Sequence, residues 1–244
     1  MTANFFESII GYMTLSERQE DILQKVVLEY IDRAQPVSSS WLEERYDMEV
    51  SPATIRNELL CLTEEGYLEQ PYTSAGRIPT DRGYRFFVDE LLPAESPEGI
   101  QAGPPQFSEA DLGGKGDLYE MGKMLAEVSS SLIVFCMPQR SFLWKEGWEQ
   151  VLRAPEFETR EEIGDFTTFL GDVESGLRDF QSEKLLEVYI GKENPFSKEQ
   201  DFSIMICECS FEKKQKGLLA LLGPKRMTYE KNIGLLVSLR RNFA

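Results

Sequence analysis

Ser51-Pro-Ala-Thr-Ile-Arg-Asn-Glu-Leu-Leu-Cys-Leu-Thr-Glu-Glu-Gly66 is the segment around which the first part of the chain is organised. The Ser51 hydroxyl is suited to cap a helix, and Pro52 then occupies the first helical position, where no backbone donor is lost. Gly66 predicts the end of that helix. One apolar stripe recurs at helical spacing: Ile55, Leu59 and Leu62. The stretch therefore predicts a capped amphipathic helix.

The opposite face of this predicted helix carries small or hydrogen-bonding side chains: Ala53, Thr54, Arg56 and Asn57. An arginine can hydrogen-bond to guanine or to a phosphate, and an asparagine can pair with the edge of adenine. We therefore expect Thr54, Arg56 and Asn57 to contact DNA, and we interpret the stretch as a recognition helix. Because helix N-termini attract anions, we also assign Ser51 to a phosphate contact. An ordinary solvent-exposed helix face is the alternative interpretation.

The residues before this stretch predict two further helices. The first begins with a capping box at Thr14 or at Ser16 and ends before Pro36. Ser38–Ser40 can cap a short second helix, and a tight link then leads to the third. This order is typical of a helix-turn-helix. We assign Ser39 to a phosphate contact at the start of the second helix, with plain capping as the alternative.

A small β-hairpin is predicted directly after the third helix. Its strands are Tyr67–Gln70 and Arg77–Pro79, and we expect Gly76 to adopt a positive φ in the connecting loop. A hairpin in this position is the wing of a winged helix. We expect Arg77 to reach a phosphate or the minor groove, and we assign Ser74 in the loop to DNA contact as well.

The charge of the chain opposes simple DNA binding. The formal net charge is −16, and residues 1–92 contribute 8 Lys/Arg against 17 Asp/Glu, which is −9. Residues 93–244 contribute 18 against 25, which is −7. A basic domain is the usual electrostatic footprint of a DNA-binding protein. Screening limits the influence of exposed charges to about 8–10 Å, so the few cations must be well placed.

Other classes of function find little support in the residues. The chain has no histidine and four scattered cysteines, which argues against a disulfide scaffold, a metal site and histidine-dependent catalysis. Cys207 and Cys209 lie two apart on a predicted strand, and packing is favoured over a redox or metal pair. No catalytic constellation, cofactor-binding loop or membrane span is recognisable. We expect a cytoplasmic protein with reduced thiols that is not an enzyme.

The chain divides into four segments. Residues 1–13 are apolar and predict a short docked helix, with a membrane-surface anchor as the alternative. Residues 14–92 form the predicted DNA-binding domain. Residues 93–117, with four prolines and five glycines, predict a linker. Residues 118–244 alternate helical and strand patterns, so the overall fold class is α+β. Strands are expected at 131–137, 185–190, 202–211 and 217–222, whereas 141–157 give no clear pattern.

Several blocks of the sequence, in order, resemble the HrcA family of heat-inducible transcription repressors. In the first domain they are Leu15-Ser-Glu-Arg-Gln19, Pro36-Val-Ser-Ser39, Ser51-Pro-Ala-Thr-Ile-Arg-Asn-Glu58, Glu69-Gln-Pro-Tyr-Thr-Ser-Ala-Gly-Arg-Ile-Pro79 and Gly83-Tyr-Arg-Phe-Phe-Val-Asp89. Near the end of the chain they are Ile190-Gly-Lys-Glu-Asn194 and Gly223-Pro-Lys-Arg-Met-Thr-Tyr229. The resemblance implies a winged helix-turn-helix domain followed by a GAF-like domain. It also implies a homodimer on double-stranded, inverted-repeat operator DNA ahead of chaperone genes, with a chaperonin as the partner that keeps the repressor active until heat stress.

The chain departs from the family pattern at one place. The strand ending near Met137 and the Trp-rich stretch from Ser141 are separated by three residues, where family members carry an inserted dimerisation segment. The resemblance therefore implies a shortened GAF-like domain. The rival hypothesis is a protein-interaction or ligand-sensing module whose acidic winged helix no longer binds DNA.

Overall fold

The computed structural model describes residues 15–92, 118–181, 184, 186–211 and 215–243. The helix predicted within residues 1–13 and the linker predicted at 93–117 lie outside these residues. The chain divides into two compact units, with the division between Gly83 and Tyr84. The domain boundaries predicted at 92 and 118 stay predictions.

Three helices and a two-stranded ladder build the first unit, and a fourth helix begins at its end. Their bounds are α1 (Glu17–Arg33), α2 (Ser39–Tyr46), α3 (Pro52–Glu64), β1 (Leu68–Glu69), β2 (Ile78–Pro79) and α4 (Asp81–Leu91). Ser16 and Gln19 form the capping box of α1, which confirms one of the two predicted starts. Ser51 caps α3 with Pro52 at its first position, and Gly66 has φ +79° beyond its end, as predicted. The order of elements in this region is therefore the predicted one.

The hairpin strands pair antiparallel, with Leu68 opposite Pro79 and Glu69 opposite Ile78. A third strand position is added by Val37, whose backbone exchanges two hydrogen bonds with Arg77, at 2.9 and 2.8 Å. The prediction of a positive φ at Gly76 is wrong. A glycine is needed there for a different reason, since a Cβ would lie 2.4 Å from the carbonyl carbon and oxygen of Val37.

The core of the first unit is apolar and shared by all three helices. The apolar stripe of α3 is buried as predicted, with Ile55 and Leu62 fully enclosed. The other buried hydrophobic side chains of α1, the α1–α2 link, α2 and the hairpin include Ile22, Leu23, Val26, Val27, Val37, Leu42 and Leu68. These contacts fix which face of α3 remains toward solvent.

The second unit is built on a five-stranded antiparallel sheet in the order β4-β3-β7-β6-β5. Its strands are β3 (Leu132–Met137), β4 (Phe142–Glu146), β5 (Leu186–Ile190), β6 (Phe202–Phe211) and β7 (Gln215–Pro224). Its helices, after α4, are α5 (Leu118–Ser129), α6 (Trp148–Val151), α7 (Arg160–Leu177) and α8 (Tyr229–Phe243). The predicted mixed α+β class is confirmed.

Strand β4 lies within residues 141–157, for which no clear pattern is predicted. It forms a tight hairpin with β3, with Met137 opposite Phe142 and Phe135 opposite Trp144. The Trp144 ring stacks on Phe135 at a centroid distance of 5.5 Å. Pairing with β3 therefore defines this strand, and its own alternation does not.

One face of the sheet packs against α7 in a continuous hydrophobic cluster. Phe166, Phe169 and Val173 of α7 are buried there against Ile204 and Ile206 of β6. Phe166 and Phe202 meet edge to face at 5.2 Å. The buried residues of α7 recur at helical spacing, so one face of this helix covers the sheet.

Helix α8 packs against β6 of the same unit. The contact includes buried polar groups, because the hydroxyls of Ser203 and Tyr229 lie 2.9 Å apart and Tyr229 also donates to the carbonyl of Lys225 at 2.6 Å. In the described part of the chain, no helix combines the length and apolar character required to span a bilayer.

Candidate nucleic-acid interface

The N-terminus of α3 is closed by side-chain hydrogen bonds. Ser51 Oγ accepts a hydrogen bond from the Thr54 backbone N–H at 3.2 Å, and the two hydroxyls lie 3.1 Å apart. Ser51 is exposed and Thr54 is half-buried. The end of the helix carries partial positive charge from its unpaired N–H groups, so an anion such as a phosphate is favoured in front of it.

Arg56 and Asn57 lie on the face of α3 that points away from the core. Both side chains are exposed, whereas Ile55 directly before them and Leu59 two residues after them are buried. Within the described residues, neither Arg56 nor Asn57 makes a side-chain hydrogen bond or an ion pair. The guanidinium and the carboxamide therefore keep their full hydrogen-bonding capacity for an external partner.

Arg56 differs in this respect from the other cations of the first unit. Among residues 15–83, six of the seven Lys and Arg side chains have polar or aromatic partners: Arg18 with Glu58, Lys25 with Asp21, Arg33 with Gln35 and Trp41, Arg45 with Glu29, Arg77 with Thr63, and Arg82 with Glu65 and Tyr67. Arg56 is the remaining cation in that part of the chain. Within residues 15–83, Arg56 is therefore the cation whose side chain makes no hydrogen bond, ion pair or ring contact.

The N-terminus of α2 has a similar arrangement of hydroxyls. Ser38, not Ser39, is the capping residue, and its Oγ accepts from the Trp41 backbone N–H at 3.1 Å. The Ser38 and Ser40 hydroxyls lie 3.0 Å apart. Ser39 is the first residue of the helix and is half-buried. The structure thus places Ser39 at a helix N-terminus, where a phosphate contact stays a prediction.

The Arg77 side chain is held between the hairpin and α3. Its Nε donates to the Thr63 hydroxyl at 2.8 Å, and Thr63 in turn donates to the Leu59 carbonyl at 2.7 Å. Arg77 is half-buried. The side chain therefore links the hairpin to the recognition-helix candidate, and only the part of its guanidinium that does not face Thr63 is available to a ligand.

The loop between β1 and β2 is ordered by one side chain. Gln70 donates from its Nε2 to the carbonyls of Thr73 and Ala75, at 3.0 and 2.9 Å. Ser74 is exposed at this loop, as the DNA-contact assignment requires, and the neighbouring Tyr72 is 63% exposed. Tyr72 was not among the residues assigned from the sequence.

A buried carboxylate connects α1 with α2 and was also missed. Glu29 is 7% exposed and accepts hydrogen bonds from Trp41 Nε1 at 2.7 Å and from the Tyr46 hydroxyl at 2.9 Å. Burial, followed by the hydrogen bond to Glu29, raises the pKa of Tyr46 to about 12. A signal existed in the sequence, because Glu29 stands in helical register with Ile22 and Val26 on the apolar stripe of α1.

The described residues lack what a metal site requires, and the two cysteines of β6 lack what a reactive thiol requires. There, no group of three or more His, Cys, Asp or Glu side chains could hold a metal ion. Cys207 and Cys209 are buried on β6, and burial raises the pKa of the Cys209 thiol, assisted by the charges of Cys207 and Glu208. A buried thiol with a raised pKa is poorly nucleophilic. These residues fit the packing role that the sequence favours.

A family model for the C-terminal domain of the HrcA protein matches residues 109–233, just over half of the chain. A heat-inducible transcription repressor HrcA from Natranaerobius thermophilus is 59% identical over 80 residues, which cover 33% of this chain and 23% of the relative. The repressor of the same name from Alkaliphilus metalliredigens is 44% identical over 131 residues, 52% of this chain and 38% of the relative. The matched segments thus span well under half the length of these curated relatives.

A solved crystal structure of a hypothetical protein has a similar fold. It superposes with a TM-score of 0.72 over 94% of this chain and 97% of its own, at 20% sequence identity. At that level of identity the similarity bears on the fold alone.

Proposed function

The chain belongs to the HrcA family of heat-inducible transcription repressors, and on this premise we propose that it binds operator DNA through α3 and represses transcription. The first unit is then a winged helix-turn-helix, in which α2 and α3 form the helix-turn-helix and the β1–β2 hairpin is the wing. The second unit is a shortened GAF-like domain with a regulatory and dimerising role.

The observation that carries this proposal is the position of Arg56, exposed on the solvent face of α3 without a side-chain partner among the described residues. The fold engages the other cations of residues 15–83 with polar or aromatic groups and leaves Arg56 beside Asn57, also without a partner among the described residues. Bidentate contacts of arginine to guanine and of asparagine to adenine are common means of reading bases in the major groove. We assign Arg56 and Asn57 to base contacts.

The remaining contacts are assigned to the DNA backbone. Ser51 and Thr54 at the start of α3, and Ser39 at the start of α2, are placed where a helix N-terminus favours a phosphate. Ser74 on the wing is exposed, and Arg77 of the same hairpin supplies a cation close to α3. Phosphate contacts position a protein on the duplex, and base contacts specify the sequence.

The acidity of the first domain limits how many phosphates it can neutralise. Residues 1–92 carry a net charge of −9, so non-specific attraction to DNA is weak and the specific contacts supply a large share of the binding free energy. A modest salt dependence of operator affinity is therefore expected, with a slope that corresponds to a few phosphates.

Membership of the family also supports a symmetric mode of binding. An inverted repeat has two half-sites related by a two-fold axis, and a homodimer provides two recognition helices in the matching arrangement. We propose a homodimer that represses chaperone genes and releases the operator on heat stress, with a chaperonin as the partner that maintains the active form.

Operator selection followed by titration tests this function. The protein selects duplexes from a randomised library, and the selected inverted repeat and a scrambled duplex of equal length are then titrated at several salt concentrations. If the protein is a sequence-specific repressor, we expect its affinity for the selected duplex to be at least about 10³-fold higher than its affinity for the scrambled duplex. Equal affinity for the two duplexes would contradict the proposal.

A protein-interaction module is the second candidate, and the acidity of the first domain favours it. In that case the exposed face of α3 binds a protein and no duplex is enriched by selection. Salt dependence separates the two functions, because affinity for DNA falls as a power of the salt concentration and affinity for a protein partner need not.

A further inference from the structure

Leu60 is an exposed aliphatic side chain on α3. It is 48% exposed, although the helix provides a buried apolar face for Ile55, Leu59 and Leu62. An exposed leucine by itself is ordinary, since much of any protein surface is apolar. The position of Leu60 on the helix is what distinguishes it.

At 100° per residue, Leu60 falls between Arg56 and Asn57 on the exposed face. It lies one turn beyond Arg56, at a rise of about 6 Å along the helix axis. The face ends one further turn on with Glu64, which is exposed and whose carboxylate would repel a phosphate. Leu60 therefore occupies the centre of the strip that the proposed function places against the major groove.

The chemistry of leucine narrows what it can recognise in that groove. A leucine has no hydrogen-bond donor or acceptor, so it cannot satisfy the polar edges of guanine, cytosine or adenine. The C5-methyl group of thymine is the apolar feature that base pairs present in the major groove. Side chains one turn apart on a helix that lies in the major groove face base pairs close to one another, so the base beside Leu60 is expected one or two base pairs from the base read by Arg56.

We propose that Leu60 is a specificity-determining residue that contacts the methyl group of a thymine one or two base pairs from the base read by Arg56. This inference rests on the proposed function. It adds an apolar contact to the polar ones and predicts that each operator half-site contains a thymine whose methyl group contributes to affinity.

Deoxyuridine substitution tests the contact, because it removes the thymine methyl group and leaves base pairing unchanged. Each thymine of the selected half-site is replaced in turn, and each duplex is titrated with the wild-type protein, with Leu60→Ala and with Leu28→Ala. Leu28 is a matched control, since it is an exposed leucine on α1, 41% exposed. Circular dichroism verifies that both variants are folded.

The proposal predicts that one substitution weakens wild-type and Leu28→Ala binding by about fourfold per half-site, the equivalent of burying one methylene group. Leu60→Ala binds the thymine duplex more weakly and does not respond to the substitution. The proposal is overturned if Leu60→Ala binds the thymine duplex as tightly as the wild type does. It is also overturned if the loss of affinity relative to the wild type is the same on the thymine duplex and on the deoxyuridine duplex, because the two changes are then independent. If the wild-type protein enriches no duplex at all, operator binding itself is contradicted. If it enriches an operator but gives either of the results above, only the thymine contact of Leu60 is contradicted.

Discussion

Glu29 Oε2 lies 2.7 Å from the indole Nε1 of Trp41, so a carboxylate from the core face of α1 holds a side chain of α2. The same carboxylate accepts a hydrogen bond from the Tyr46 hydroxyl, and the guanidinium of Arg33 of α1 lies over the face of the Trp41 ring, 3.6 Å from its centroid. Trp41 is therefore fixed within the fold and is not presented for stacking on bases. This network sets the orientation of α2 on α1, and with it the position of the helix N-terminus at Ser38.

Replacing Glu29 by alanine is predicted to lower the free energy of unfolding by about 1–3 kcal/mol, because the Trp41 and Tyr46 donors lose their acceptor. Urea unfolding followed by Trp fluorescence measures the change. Glu43→Ala, at an exposed carboxylate of α2, is the control and is expected to change stability by less than about 0.5 kcal/mol. Equal effects of the two variants would show that the Glu29 network adds nothing to stability.

Stability is predicted to decline at alkaline pH through Tyr46. Its pKa is raised from 10.0 to about 12, so between these values the unfolded chain has released a proton that the folded protein retains. The stabilising contribution is complete below pH 10 and is lost as pH rises through about 12. Tyr46→Phe lacks this proton and should show a smaller decline. In a pH titration of the tyrosinate absorbance, the folded wild-type protein should show one transition near pH 12 that folded Tyr46→Phe lacks. If the transition that is lost lies near pH 10, the raised pKa of Tyr46 is contradicted.

Gly76→Ala is predicted to destabilise the first unit by about 1–3 kcal/mol, since the added Cβ would overlap the Val37 carbonyl and disturb its pairing with Arg77. Gly164→Ala is the matched control. Gly164 lies within α7, where a Cβ meets nothing within 4 Å, so alanine is expected to stabilise the helix by up to about 1 kcal/mol. Thermal unfolding of both variants provides the test; a Gly76→Ala protein as stable as wild type would contradict it.

Local sequence features predicted most of the first unit. The cap at Ser51, the proline after it and the stripe from Ile55 to Leu62 act within a few residues of one another, so the sequence carries the whole signal for α3. The same holds for the capping box at Ser16. The exposed position of Arg56 follows from that stripe, because the buried face of a helix determines the opposite one.

Features that depend on distant residues escaped prediction. The reason for a glycine at position 76 is Val37, which approaches it from a separate segment of the chain. Strand β4 is defined by its pairing with β3 and not by its own alternation. The hydrogen bond from Arg77 Nε to the Thr63 hydroxyl likewise joins residues that only the fold brings together, so local sequence features do not predict it.

A comparison of Arg56→Ala with Arg18→Ala on the selected operator determines whether α3 reads operator DNA. The two variants remove the same charge, but Arg18 on α1 is paired with Glu58, whereas Arg56 has no partner among the described residues. We expect Arg56→Ala to weaken operator binding by about 1–3 kcal/mol, with little change on a scrambled duplex, and Arg18→Ala to have a much smaller effect. Equal losses for both variants, or an Arg56→Ala protein that binds the operator as tightly as wild type, would contradict base reading by α3.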